Sequence, residues 1–109
     1  MANFVVEIDP REKSISKVLY NTESVSLGDM YSSLECDMVE RVTLGGNLDL
    51  WIDEEGQLNG AADRIGMFNI GEWQFVGKGL ICAFTEVGDT IPFSEETADF
   101  IIDNLIIEF

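Results

Sequence analysis

The sequence predicts one α+β domain, residues 1–109, with a small antiparallel or mixed sheet of about four to five strands and two main helices, the second at the C-terminus. Three observations predict it. Leu48, Leu50 and Ile52 alternate with Asp49, Trp51 and Asp53, which is the period of a strand with one buried face. Ala98, Ile101, Ile102, Leu105 and Phe109 recur at helical spacing behind Ser94. Apolar residues make up 46% of a chain long enough for one core and too short for two ordinary domains.

The elements follow in order. Asn3-Phe4-Val5-Val6-Glu7-Ile8 is a short β-branched run and reads as a strand. Asp9-Pro10 ends it, because proline has no N–H to give to a ladder. Residues 11–17 are mixed in charge and predict a turn or loop, with a short extended piece over Lys17–Tyr20. Ser26, with Asp29 three positions on, forms an imperfect capping box. It precedes Leu27, Met30, Tyr31, Leu34 and Met38, one face of a helix that Gly28 weakens by about 1 kcal/mol relative to Ala. Strands over 38–44 and 48–53, joined through Gly45-Gly46-Asn47, predict a hairpin. Glu54-Glu55-Gly56-Gln57 is a polar turn. Residues 58–72 predict a helical turn around 61–66 and then loop. Trp73 to Phe84 predicts one strand interrupted at Gly77-Lys78-Gly79, whose glycines suggest a bulge or a close backbone approach, with the apolar Leu80–Phe84 as a central strand. Ser94 caps the last helix, and Glu95 and Glu96 fill the first turn, where the helix dipole favours anions.

The side chains exclude much chemistry. There is no histidine, which removes Ser-His and Cys-His nucleophiles, His-bearing zinc sites and the usual proton carrier near neutral pH. Cys36 and Cys82 form no CxxC pair, sit among apolar residues and predict buried, reduced thiols. Gly77-Lys78-Gly79 lacks the spacing of a phosphate loop. A calcium loop opened at Asp53 places Arg64 at its twelfth position and has no glycine at its sixth. No catalytic residue, metal or cofactor is expected, and the chain does not read as an enzyme. A hydrolase built on carboxylates alone would need two acids about 5–10 Å apart in a cleft.

Charge points toward partners. The net charge is −15, and residues 1–20 contribute none of it, since three acids there meet three bases. Beyond Lys78 there are seven acids and no base. Such a surface repels nucleic-acid phosphates and anionic lipid, so neither direct nucleic-acid binding nor membrane binding is expected. It attracts basic proteins. The start of the chain has no basic segment leading into an apolar stretch, and no apolar run approaches the ~20 residues of a membrane span. A cytoplasmic location is therefore expected. Two groups of carboxylates are candidates for partner binding: Asp53, Glu54 and Glu55 in the polar turn, and Glu95, Glu96, Asp99 and Asp103 on the last helix. Each group also has a plain structural reading, as a solvated turn and a solvated helix face, with acidity serving solubility. Asp99 and Asp103 are like charges at i, i+4, which cost an isolated helix a few tenths of a kcal/mol. A different reading is a small-ligand module in which the glycine-rich segment 66–79, with Trp73 and Phe75, lines a pocket.

From Met38 to Phe84 the order of signals is distinctive: Leu50-Trp51-Ile52-Asp53-Glu54-Glu55-Gly56-Gln57-Leu58-Asn59-Gly60, then Asn69, then Gly71-Glu72-Trp73-Gln74-Phe75-Val76-Gly77 and Leu80-Ile81. This resembles a family of small domains of unknown function encoded by phages, plasmids and integrated elements. Gln57 stands where that family commonly has Lys, and the segment from Asn59 to Asn69 departs from its pattern. The resemblance carries no catalytic residues. It implies a mobile-element origin, and by analogy an inhibitor of host defence or of nucleic-acid-processing proteins, acting as a nucleic-acid mimic toward a basic host protein.

Overall fold

The computed structural model describes residues 3–109. β1 (Asn3–Asp9) and β2 (Ser14–Tyr20) form a hairpin in full register, from Asn3 opposite Tyr20 to Asp9 opposite Ser14. The strand therefore starts earlier than Lys17, because the turn is confined to Pro10–Lys13 and closed by Lys13 in the left-handed region at φ 52°. α1 (Leu27–Leu34) carries the capping box in full: Asp29 N–H donates to Ser26 Oγ, and Ser26 N–H donates to Asp29 Oδ2. β3 (Val39–Gly45) and β4 (Leu48–Asp53) are the expected hairpin, with a register shift between Thr43 and Gly45.

The next segment holds the expected helical turn and departs from expectation after it. α2 (Ala61–Arg64) is one turn, and the supposed loop holds β5 (Met67–Ile70), which pairs across Gly71-Glu72 with β6 (Trp73–Val76). Gly71 takes φ 60°, the conformation that lets two residues reverse the chain. β7 (Gly79–Phe84) is separate from β6, since Gly77 at φ 94° turns the chain out of one sheet and into the other. Short strands β8 (Thr90–Ile91) and β9 (Phe93–Ser94) lead into α3 (Glu95–Asn104). The helix stops at Asn104, and β10 (Ile107–Glu108) turns Phe109 away from the helical face predicted for it.

The main sheet has the order β2-β1-β7-β4-β3, with β8 added to β7 and β9 to β1. The second sheet is β10-β5-β6, and the pairings within both sheets are antiparallel. The α+β class stands. The strands outnumber the four or five expected, and a third, one-turn helix joins the two main ones, because four-residue strands around a two-residue turn leave little periodicity to read.

Both faces of the main sheet are covered. On one face Val6, Ile8, Leu50, Ile52, Ile81 and Ala83 pack against Phe68 and Phe75 of the small sheet and Ala98 and Ile101 of α3. On the other, Val5, Leu80 and Cys82 pack beneath Met30 and Leu34 of α1. β4 therefore buries both of its faces. Leu50 lies on the first, and Asp49, Trp51 and Asp53 lie on the second, where a solvated face was expected.

The polar groups on that second face form a network. The Lys78 ammonium is buried 2.8 Å from Glu7 and 3.7 Å from Glu35. Ser33 Oγ donates to Glu7, and Arg11 donates to Glu35 at 2.6 Å. Gly77-Lys78-Gly79 thus places a cation between β1 and the end of α1, while a Cβ on Gly79 would lie 2.8 Å from Phe68 Cζ.

Candidate functional site

α3 owes its position to its sequence. Ser94 Oγ accepts from Thr97 N–H, which fixes the start, and the rows containing Ala98 and Ile101 face the core. The spacing of 3.6 residues per turn then divides the remaining side chains. Glu95 and Asp99 lie along one flank. Phe100 and Asn104 lie along the other. Glu96 and Asp103 lie on the crest between them. Lys17 of β2 reaches the first flank and stands 2.8 Å from both Glu95 and Asp99, with Phe4 beneath its ammonium at 5.8 Å. The two hydrogen bonds that Lys17 donates, the one to Asp99 foremost, raise the lysine pKa and keep it charged. Lys17 offsets the repulsion among the helix acids and ties α3 to the first hairpin. Glu96 and Asp103 are exposed on the crest and take no part in that cluster.

Beside that crest, on the flank away from Lys17, stands Phe100, 67% exposed. Its flank of the helix faces the tip of the β3–β4 hairpin across a groove of about 200 Å³, lined by Leu44, Leu48, Ile101 and Leu105 with Phe100 at its rim. Leu44 also borders a second groove, of about 350 Å³, formed with Ile70, Glu72, Trp73 and Phe75. Trp73 is 60% exposed there, and its ring centroid lies 6.2 Å from that of Phe75. Leu44 therefore joins two apolar grooves into one face, with Phe100 at one side, Trp73 at the other, and Glu96, Asp103 and Glu72 around them.

The second group of predicted carboxylates lies elsewhere. Asp53 is at the far end of β4 from Leu48, roughly 17 Å along the strand. Its side chain is buried. One oxygen accepts from Glu55 N–H at 2.9 Å and the other from Asn59 Nδ2 at 2.8 Å, while Asn59 Oδ1 accepts from Ala61 N–H. Asp53 is thus the hub that folds its loop, buried and engaged there where an exposed partner-binding carboxylate was expected. Glu54 and Glu55 are exposed, at the other end of the sheet from the groove beside Leu48. Glu40 and Glu54 share a groove with Asp53, whose engaged oxygens are poorly suited to acid–base work.

Other reactive groups are held back. Burial pushes the Cys82 thiol up to about 12 and the Cys36 thiol up to about 11, so both stay protonated at neutral pH. Among the described residues, no three Cys, Asp or Glu side chains gather where they could hold a metal ion. No helix among them is long and apolar enough to cross a membrane.

Phe100 and Leu44 were absent from the predicted site. Phe100 had a legible signal, since it falls off the apolar face of its own helix. Leu44 had none, because its role comes from two elements distant in sequence. The model of a family described as a domain of unknown function, DUF3846, matches residues 3–106. No curated protein and no solved structure matches the chain.

Proposed function

The chain belongs to the DUF3846 family, a domain of unknown function, and we propose that this member is a non-catalytic accessory protein, of phage or mobile-element origin, that docks on a basic surface of a host protein in the cytoplasm. The observation that carries this reading is Phe100, exposed on the flank of α3 next to the crest that bears the carboxylates of Glu96 and Asp103, and beside a groove. An exposed aromatic next to a pocket is the usual anchor of a protein interface, and surrounding charge selects the partner and speeds encounter. Carboxylates spaced along a helix can also stand in for phosphates, so a host protein that normally holds DNA or RNA is the partner class proposed. Glu95 and Asp99, tied to Lys17, orient the helix. Glu54 and Glu55 contribute long-range attraction.

The test is capture from host lysate by the wild-type chain and by an E96K/F100A/D103K variant, at low and at high salt. A partner retained at low salt, lost at high salt, absent with the variant and displaced by a DNA or RNA fragment is the expected result. Equal capture by both chains would exclude this surface.

A second reading has its own observation. The groove beside Trp73 and Phe75 lies in the segment 66–79 and suits a small molecule. Stabilisation of the fold by a nucleotide or metabolite, abolished by Trp73→Ala, would support it. A screen without any stabilising compound would count against it.

A further inference from the structure

We propose that the corner between Trp73 and Phe75 is a subsite for a guanidinium group, the side chain of an arginine on the basic protein partner. The proposal rests on the docking reading above for the partner, and on the corner itself for the ligand.

Three features of the corner carry it. The first is its aromatic geometry. The two rings are tilted by 59° with centroids 6.2 Å apart, so they form two walls at an open angle. Phe75 is buried and supplies the floor, whereas Trp73 is 60% exposed and presents an indole face. Trp is the side chain whose face best attracts a cation. The second is the mouth. Gly71, at φ 60°, has no side chain, and open space surrounds the position a Cβ would take, so nothing overhangs the entrance. Holding a left-handed conformation, that position favours glycine for the turn as well. The third is charge. Glu72 lines the same groove, and neither Lys nor Arg does.

An apolar ligand would gain from the rings and waste the carboxylate. An anion would be repelled by Glu72 and by the net charge of −15. A cation uses both groups. Arginine fits better than lysine because its planar guanidinium stacks on an indole while donating a pair of hydrogen bonds to a carboxylate, and because it is less strongly hydrated. Leu44 connects this corner to the groove below Phe100, so one partner surface can place an arginine in the first and an apolar side chain in the second.

The test needs no partner protein. The indole N–H signals of Trp73 and Trp51 are followed by NMR while N-acetyl-arginine amide is added, with N-acetyl-citrulline amide as the uncharged counterpart of the same shape. Trp73→Phe assigns the signals. Saturable movement of the Trp73 signal alone is expected, with about fivefold weaker binding of citrulline and about fivefold weaker binding of arginine by Glu72→Gln. Glu72 is exposed in a turn, so that variant keeps the fold. An unmoved Trp73 signal, equal affinity for citrulline, or undiminished binding by Glu72→Gln overturns the proposal. If the titration fails while the α3 variant still loses its partner, only the subsite falls. If the titration succeeds while capture ignores α3, the docking reading falls and the subsite remains.

Discussion

Asp49 shows most plainly what one side chain can cost. It is 1% exposed, neither of its carboxylate oxygens has a hydrogen-bond partner among the described residues, and the Arg41 guanidinium stops 3.8 Å away. Burial therefore raises its pKa, with Arg41 and then the nearby Thr43 hydroxyl, too poorly placed to form a full hydrogen bond, pulling the other way. A carboxyl raised in the folded state favours folding below its unfolded pKa, and that benefit is lost as pH climbs through the folded value. At neutral pH the buried carboxyl is therefore a burden. Asp49→Asn is expected to stabilise the fold by about 1 kcal/mol at pH 7 and to lose that advantage near pH 4. Denaturant titrations of both chains at the two pH values measure it. Stabilisation independent of pH would show that ionisation is not the cause. The alternation of 48–53 placed Asp49 on the correct face of its strand. Its burial was not legible, because that face of the sheet is covered by α1, an element with no sequence link to β4.

At the scale of elements, legibility followed length and capping. α3 was readable from Ser94, the two glutamates and its apolar row, and α1 from the Ser26–Asp29 pair. β4 was readable because six residues alternate strictly. β5 and β6, at four residues each, were not, and the turn between them looked like any other glycine-containing loop. The join between β6 and β7 was read in part. The close approach expected of its glycines is there at Gly79, but in place of one interrupted strand they mark a transfer between sheets. Gly79 lies where β7 crosses beneath the small sheet, and a methyl there would meet Phe68 at 2.8 Å and Leu50 at 3.0 Å. Gly79→Ala is thus expected to destabilise the fold by about 1–3 kcal/mol through overpacking, seen as a lower midpoint in thermal or denaturant unfolding. An unchanged midpoint would mean that the two sheets separate easily at this point. Such looseness would also displace Phe75, the floor of the Trp73 corner.

Over the whole molecule, charge acts against compactness. Four of the six basic side chains, Arg11, Lys17, Arg41 and Lys78, stand in ion pairs within the fold. They attach α1, α3 and β3 locally and leave a large uncompensated negative field. Raising NaCl from about 0.01 M to 0.5 M shrinks the Debye length from roughly 30 Å to a few Å. The Tm at pH 7 is therefore expected to rise with salt, even though the surface pairs weaken. A Tm that falls would mean those pairs outweigh the repulsion. The sequence alone disclosed the size of this imbalance. It could not disclose its distribution, because the turn acids and the helix acids stand at opposite ends of a sheet whose strand order joins the first strand to the seventh.

That strand order also governs when the fold can close. β1 pairs with β7 through Val6 and Ile81 and with β9 through Phe4 and Phe93. During translation the first hairpin therefore emerges with apolar side chains that have no cover until most of the chain has left the ribosome. α3 takes its seat on that hairpin only afterwards. A half-made polypeptide therefore lacks the face that α3 and the β3–β4 hairpin build together.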